Sequence, residues 1–156
     1  MANLRVDKIT STETFETTGS VQFDGTNDWL DIASSNDFAY GTGDFTWEAW
    51  FYPAAVKTTH YIFDHGNDGG IIQFYDGLIR YYNSTIGVNS ILYTGGGTLN
   101  YSSWSHIAVS RNSSITRLFV NGQLRCFGED THNYSAQAVT IGDYGANTGT
   151  NKAQGF

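Results

Sequence analysis

Residues 104–127 read WSHIAVSRNSSITRLFVNGQLRCF, and this stretch decides the fold class. It divides into three β-strands joined by two turns. The second turn is Asn121-Gly122, a pair that tolerates positive φ and whose twist matches that of the strands it joins. The same chemistry recurs upstream, where Asp76-Gly77 separates IIQFY (71–75) from LIRYYN (78–83). The likeness between the two turns is local and is no evidence of a repeat.

Working outward, further short strands follow at regular spacing. VQFD (21–24) and WLDI (29–32) flank the turn-forming cluster 24–28. FTWEAWFYP (45–53) alternates Phe45, Trp47, Ala49 and Phe51 on one face with Thr46, Glu48, Trp50 and Tyr52 on the other. HYIFDH (60–65), a Gly-rich loop at 66–70, VNSILY (88–93) and AVTIG (138–142) complete the series. No helical period of useful length occurs. Short strands with regular turn punctuation predict an all-β, two-sheet antiparallel β-sandwich.

Composition agrees. The 156 residues suit one domain with a real core. Charged residues make up 15%, below the roughly 25% usual in soluble domains, so Ser, Thr, Asn, Gly and Tyr must build the surface. The net charge of −7 argues against nucleic acid, which needs a basic face. No apolar run is long enough for membrane insertion as a helix. Cys126 is the single cysteine, which excludes an internal disulfide and a thiolate metal cage; in its apolar hairpin strand it reads as a small core residue. Residues 1–19 are polar and Thr-rich, with Leu4, Val6 and Ile9 as the only aliphatic points before the character changes at Ser20. They read as an N-terminal arm for anchoring or assembly, ahead of a domain spanning 20–156. The opening MANLRVDKITSTETFETTGS has no hydrophobic core of the kind an export signal carries.

Four segments in order carry a family resemblance: Phe23-Asp24-Gly25 with Asp28-Trp29-Leu30; Phe45-Thr46-x-Glu48-Ala49-Trp50-Phe51; Trp104-x-His106-Ile107-Ala108-Val109-x-Arg111; and Leu118-Phe119-Val120-Asn121-Gly122. Across residues 20–156 the pattern resembles the laminin-G-like, concanavalin A-like jelly roll. In such a sandwich Trp50 and Trp104 are expected where the two sheets face each other. The opening MANLRVDKITST resembles the N-termini of virion structural proteins of tailed phages, marine ones especially. One departure stands out: the family pattern usually continues past Phe156 with a further strand. Three explanations compete: a longer gene product, a strand supplied by the N-terminal arm, or one supplied by another chain. A long uncovered sheet edge is a hazard that proteins usually cover.

A search for chemistry finds little. Glycosidases need two carboxylates facing one groove. Here Glu48 stands alone in its strand, and Glu129 and Asp130 are adjacent, hence on opposite faces if extended. His60, His65, His106 and His132 show no metal-ligand spacing, and no Gly-x-Ser-x-Gly elbow is present. The chain is therefore expected not to be an enzyme. The resemblance implies calcium as the one cofactor to consider, since that ion takes oxygen ligands flexibly. Asp24, Asn27, Asp28, Asp64 and Asp68 are the candidate ligands, although Asp and Asn in tight turns also bond their own backbone. For a glycan, Tyr75, Tyr81, Tyr93 and Tyr101 are the candidate stacking rings, against the ordinary use of tyrosine on strands. The Asn-x-Ser/Thr sites at Asn83, Asn100, Asn112 and Asn133 read as polar loop composition.

Two functions of different class follow. One is a non-enzymatic virion structural protein, a capsid decoration or a tail or fibre component. Residues 1–19 would fix it to other virion proteins in a multi-copy or homo-oligomeric assembly. The sandwich would then be displayed on the virion surface, in reach of a host glycan. The other is a calcium-dependent carbohydrate-binding or adhesion module.

Overall fold

A computed structural model describes residues 5–6, 19–54, 59–66, 69–75, 78–83 and 93–143, the backbone alone for 5–6 and 93–98. Among the described residues eleven strands form in chain order: β1 (Arg5–Val6), β2 (Leu30–Ile32), β3 (Phe45–Phe51), β4 (Thr59–Asp64), β5 (Ile71–Tyr75), β6 (Leu78–Tyr82), β7 (Tyr93–Thr98), β8 (Ser105–Asn112), β9 (Ile115–Val120), β10 (Gln123–Glu129) and β11 (Val139–Ile141). One 3₁₀ turn, Asn36–Phe38, is capped by the Ser35 hydroxyl. Two antiparallel sheets stack: a seven-stranded one in the order β1-β2-β11-β4-β5-β6-β7 and a four-stranded one in the order β10-β9-β8-β3. The sandwich expected from the strand spacing is present.

Local chemistry accounts for the connections. Asn121 and Gly122 have φ of 51° and 74°, the positive pair a two-residue hairpin needs. The Asn121 side-chain oxygen also accepts the His106 backbone N–H at 2.8 Å, tying the turn to β8. At the β8–β9 turn Ser113 and Ser114 both take positive φ. The Asp44 carboxylate holds that turn by accepting the Ser113 N–H and the Asn112 amide, each at 3.0 Å. The Asp76-Gly77 turn lies outside the described residues. So do Leu4 and Ile9 of the arm, but Arg5 and Val6 pair with Asp31 and Leu30 at the free side of β2.

The core lies between the sheets. Strand alternation sends Phe45, Trp47, Phe51, Ile107, Val109, Leu118 and Val120 inward from the small sheet, against Ile62, Ile72, Phe74, Ile79 and Tyr81 from the large one. Cys126 is half-buried against this cluster, and burial pushes its thiol up to about 11.

At one end of the core sits a buried ion pair. Arg111 and Asp130 have fully buried side chains, 3.4 Å apart. Arg111 spends its other donors on backbone, the Gly43 and Gly41 carbonyls at 2.7 Å each and that of His132 at 2.8 Å. Its plane lies against the Phe45 and Tyr134 rings. Asp130 accepts the Thr116 hydroxyl at 2.8 Å, the Tyr134 hydroxyl at 3.1 Å and the His132 N–H at 3.1 Å. Tyr81 joins at 2.8 Å through Tyr134. Burying charge is tolerable only when its hydrogen bonds are made, and here they are.

Removing one partner leaves the other charge stranded. Arg111→Met is expected to cost about 3–5 kcal/mol in urea unfolding, and adding Asp130→Asn to recover part of it. Burial also pushes Tyr134 up to about 12 and Tyr81 well above the usual phenol range, the latter reinforced by Tyr134 and Asp130. A phenol raised on folding contributes stability that is intact below its unfolded value of 10.0 and is lost as pH rises through the folded value. The urea midpoint should therefore fall steeply above pH 10.0, and less steeply in Tyr81→Phe.

Candidate functional site

The outer face of the four-stranded sheet is where the structure departs from a polar surface. By the β3–β8 register, Trp50 stands opposite His106 and Glu48 opposite Ala108. By the next two registers, Ala108 faces Phe119, and Phe119 faces Leu124. Phe127 stands opposite Arg117 on the same side. The exposed large hydrophobics among the described residues are Trp50 (61%), Trp104 (46%), Leu124 (49%) and Phe127 (66%), and all belong to this face or its rim. The Trp50 ring lies 5.3 Å from the His106 ring, and Trp104 lies 5.4 Å from Tyr52. Polar groups stand among them: the Glu48 carboxylate is 3.6 Å from His106 Nε2. Exposed rings beside a carboxylate and an imidazole can stack on a flat apolar partner and bond its hydroxyls.

This placement corrects the expectation for the two tryptophans. Trp50 and Trp104 do not lie between the sheets; Trp47 does, at 8% exposure. Side-chain alternation decides the matter, because Trp47 shares its phase with Phe45 and Phe51 and Trp50 cannot. The candidate sugar-stacking tyrosines are also dispersed. Tyr81 is 1% exposed and hydrogen-bonded to Tyr134, so it presents no ring face. Tyr101 packs edge-on against Phe74 of the core, Tyr75 carries the Arg80 guanidinium 4.3 Å above its ring, and the Tyr93 side chain lies outside the described residues. The sequence signal for the aromatic face was present in the alternation of FTWEAWFYP, but the family resemblance pointed to burial.

The candidate calcium ligands are mostly engaged locally. The Asp24 carboxylate accepts the Thr26 and Asn27 N–H groups at 2.7 and 3.0 Å, and Asp28 accepts the Asp24 N–H at 3.1 Å. This is the self-bonding of acidic turn residues. Asn27 contributes its backbone, Asp64 is buried in β4, and Asp68 lies outside the described residues. Among the described residues no three His, Cys, Asp or Glu side chains converge as a metal would require. On the acidic pair, Glu129 is exposed at the end of β10 while Asp130 is buried in the ion pair. Glu48 and Glu129 lie on opposite edge strands with β8 and β9 between them.

A second feature adjoins β3 on its inner side. A cleft of about 430 Å³ opens between β3 and the large sheet, lined among others by Tyr40, Trp47, Ala49, Ile62, Phe63, Ile72 and Ile141. Burial pushes the Tyr40 hydroxyl up to about 12.

Residues 24–155 match the family model described as Concanavalin A-like lectin/glucanases superfamily. No curated protein matches the sequence. Among solved structures, domain 4 of the extracellular GH43 arabinanase AbnA from Geobacillus stearothermophilus, in complex with arabinotriose, superposes with a TM-score of 0.65 at 14% identity, covering 99% of this chain and 77% of that one. Trypanosoma rangeli sialidase in complex with 2,3-difluorosialic acid gives 0.70 at 13% identity, over 98% of this chain and 26% of that one. A Bacteroides ovatus protein described as carbohydrate binding gives 0.63 at 16%, over 83% and 39%. At such identities the likeness is one of fold. This chain spans well under half the length of the last two.

The two kinds of tryptophan are expected to separate in stability. Trp47→Ala should cost about 3–5 kcal/mol, as large-to-small core changes do. Trp50→Ala should stay within about 0.5 kcal/mol of the parent, as surface changes do. Urea unfolding followed by circular dichroism checks both.

Proposed function

This chain belongs to the Concanavalin A-like lectin/glucanases superfamily, and we propose that it works as a non-catalytic glycan-adhesion domain of a virion structural protein. The observation that carries the adhesion reading is the clustering of Trp50, Trp104, Leu124 and Phe127 on one sheet face. A folded chain gains nothing from leaving two indoles and a phenylalanine in water unless something covers them. Sugar rings suit this face, because their apolar C–H surfaces stack on aromatics while Glu48, His106 and Asn121 stand ready for hydroxyls. The arabinotriose-bound neighbour supports the same class of ligand.

The spacing of two carboxylates supports a non-catalytic reading. Glu48 and Glu129 are three strand intervals apart, about 14 Å at the usual inter-strand distance. Glycoside hydrolysis needs carboxyl groups about 5–10 Å apart. Binding needs no calcium in this reading, since the Asp24 and Asp28 oxygens already serve backbone amides. Placement on the virion surface is supported by the resemblance of MANLRVDKITST to phage virion N-termini; β1 on the β2 edge marks where that arm meets the sandwich.

A glycan array probed with the full chain tests adhesion. Binding should survive a chelator and fall about two- to tenfold in both Trp50→Ala and Trp104→Ala, each stacking ring being worth about 0.5–1.5 kcal/mol. Binding that is lost with calcium, or kept by both variants, contradicts the reading. Deleting residues 1–19 should abolish incorporation into particles while the circular dichroism of the sandwich persists.

A further inference from the structure

The alternation that sends Phe74, Ile79 and Tyr81 into the core turns Gln73, Tyr75, Arg80 and Tyr82 to the outer face of the large sheet. In the β5–β6 register Gln73 stands directly opposite Arg80. Tyr75 pairs with Leu78, two residues before Arg80, and Tyr82 follows two residues after it. One phenol ring therefore flanks Arg80 on each side along the strand. The guanidinium carbon lies 4.3 Å from the Tyr75 ring centre and 5.4 Å from that of Tyr82. The Nε–H donates to the side-chain oxygen of Gln73, which is itself 1% exposed. Arg80 remains partly exposed. Among the described residues no carboxylate pairs with it, and neither Nη1 nor Nη2 meets an acceptor. Carboxylates are plentiful, with 15 acidic side chains to 8 Lys and Arg, yet this arginine is given two rings and an amide instead. Arg111, by contrast, is spent on Asp130 and three backbone carbonyls.

We propose that Arg80, held between Tyr75 and Tyr82, is a second ligand site that takes the anionic group of an acidic saccharide, a carboxylate or a sulfate ester. The rings and Gln73 remove the rotamer freedom of a long side chain while its terminal fork stays unspent, which is preorganisation for a ligand. With Nε given to Gln73, the edge formed by Nη1 and Nη2 remains, and two oxygens of one anion match that edge. A tyrosine on either side, with apolar body and polar tip, suits the C–H and hydroxyl groups of the sugar that carries the anion. The net charge of −7 opposes an anion at long range, but at physiological salt that field is screened beyond about 8 Å, so the local cation decides. Trp50 belongs to the outer face of the other sheet, so this site and the aromatic face lie on opposite sides of the sandwich. Neither needs the other.

The test follows the arginine Nε–H resonances of the ¹⁵N-labelled full chain during titration with sodium glucuronate, glucose 6-sulfate, glucose and sodium chloride. Glucuronate or glucose 6-sulfate, or both, should shift the Arg80 signal and bind about tenfold more tightly than glucose, as one charge-assisted fork accounts for. Whichever anion binds better identifies the source of the two oxygens. Chloride at equal ionic strength should leave the signal in place. Arg80→Lys keeps the charge without the fork and should weaken binding about fivefold. Arg80→Gln should erase the preference for the anions over glucose, with urea unfolding of each variant showing that the sandwich is intact. If a variant loses the fold, the Arg80 signal of the parent chain decides alone. Trp50→Ala should leave anion binding unchanged, which keeps this result independent of any result at the aromatic face. The proposal is overturned if neither anion moves the Arg80 signal, if glucose or chloride moves it equally, or if Trp50→Ala abolishes the binding.

Discussion

The buried pair of Arg111 and Asp130 is the constraint on which the rest of the arrangement turns. Arg111 sits on β8 opposite Phe45, the first residue of β3, and its guanidinium holds the carbonyls of Gly41 and Gly43 just ahead of that strand. Entry of β3 into the sheet is thereby pinned in one register. Because side chains alternate with period two, a slip of one residue would send Trp50 into the core and Trp47 into water. The ion pair thus sets which indole is structural and which is displayed, from the far end of the strand. Asp130 does the complementary work, tying β9 through Thr116 and the 130–134 segment through Tyr134.

With β3 fixed, each of its surfaces has a distinct character. Inward, Phe45, Trp47 and Phe51 pack against the large sheet. Outward, Trp50 and Glu48 join the aromatic face that crosses β8, β9 and β10. Sideways, the strand borders an apolar cleft. A low content of charged residues suits such a design, since few lysines or arginines are present to mask the exposed rings.

Much of the fold was legible because its determinants are local. The Asn121-Gly122 turn needs two positive φ values and the sequence supplies residues that take them. The alternation in FTWEAWFYP was equally plain, and it placed Trp47 with Phe45 and Phe51. What misled was the family resemblance, which set Trp50 and Trp104 between the sheets although the alternation already placed Trp50 on the face opposite Trp47; the paired register shows both turned outward. The site was less legible for a different reason. Tyr81 looked available until Tyr134, 53 residues along the chain, proved to be its hydrogen-bond partner. The Arg111–Asp130 pair likewise joins residues whose meeting depends on long-range topology, and nothing in their neighbouring sequence announces it. Asp24, Asn27 and Asp28 illustrate the converse, since their turn chemistry was written in the sequence alongside the rival reading as ion ligands.

The central claim is that β3 divides its tryptophans, with Trp47 sealed inside and Trp50 facing the ligand. Indole N–H spectra of the ¹⁵N-labelled chain, recorded with a soluble paramagnetic agent before and after saturation with a glycan selected on the array, measure this directly. The account predicts that Trp50 and Trp104 are broadened in the free protein and shielded by the glycan, while Trp47 is untouched by the agent in both. Broadening of Trp47 with sparing of Trp50, or a bound glycan that shields neither outer indole, would contradict it.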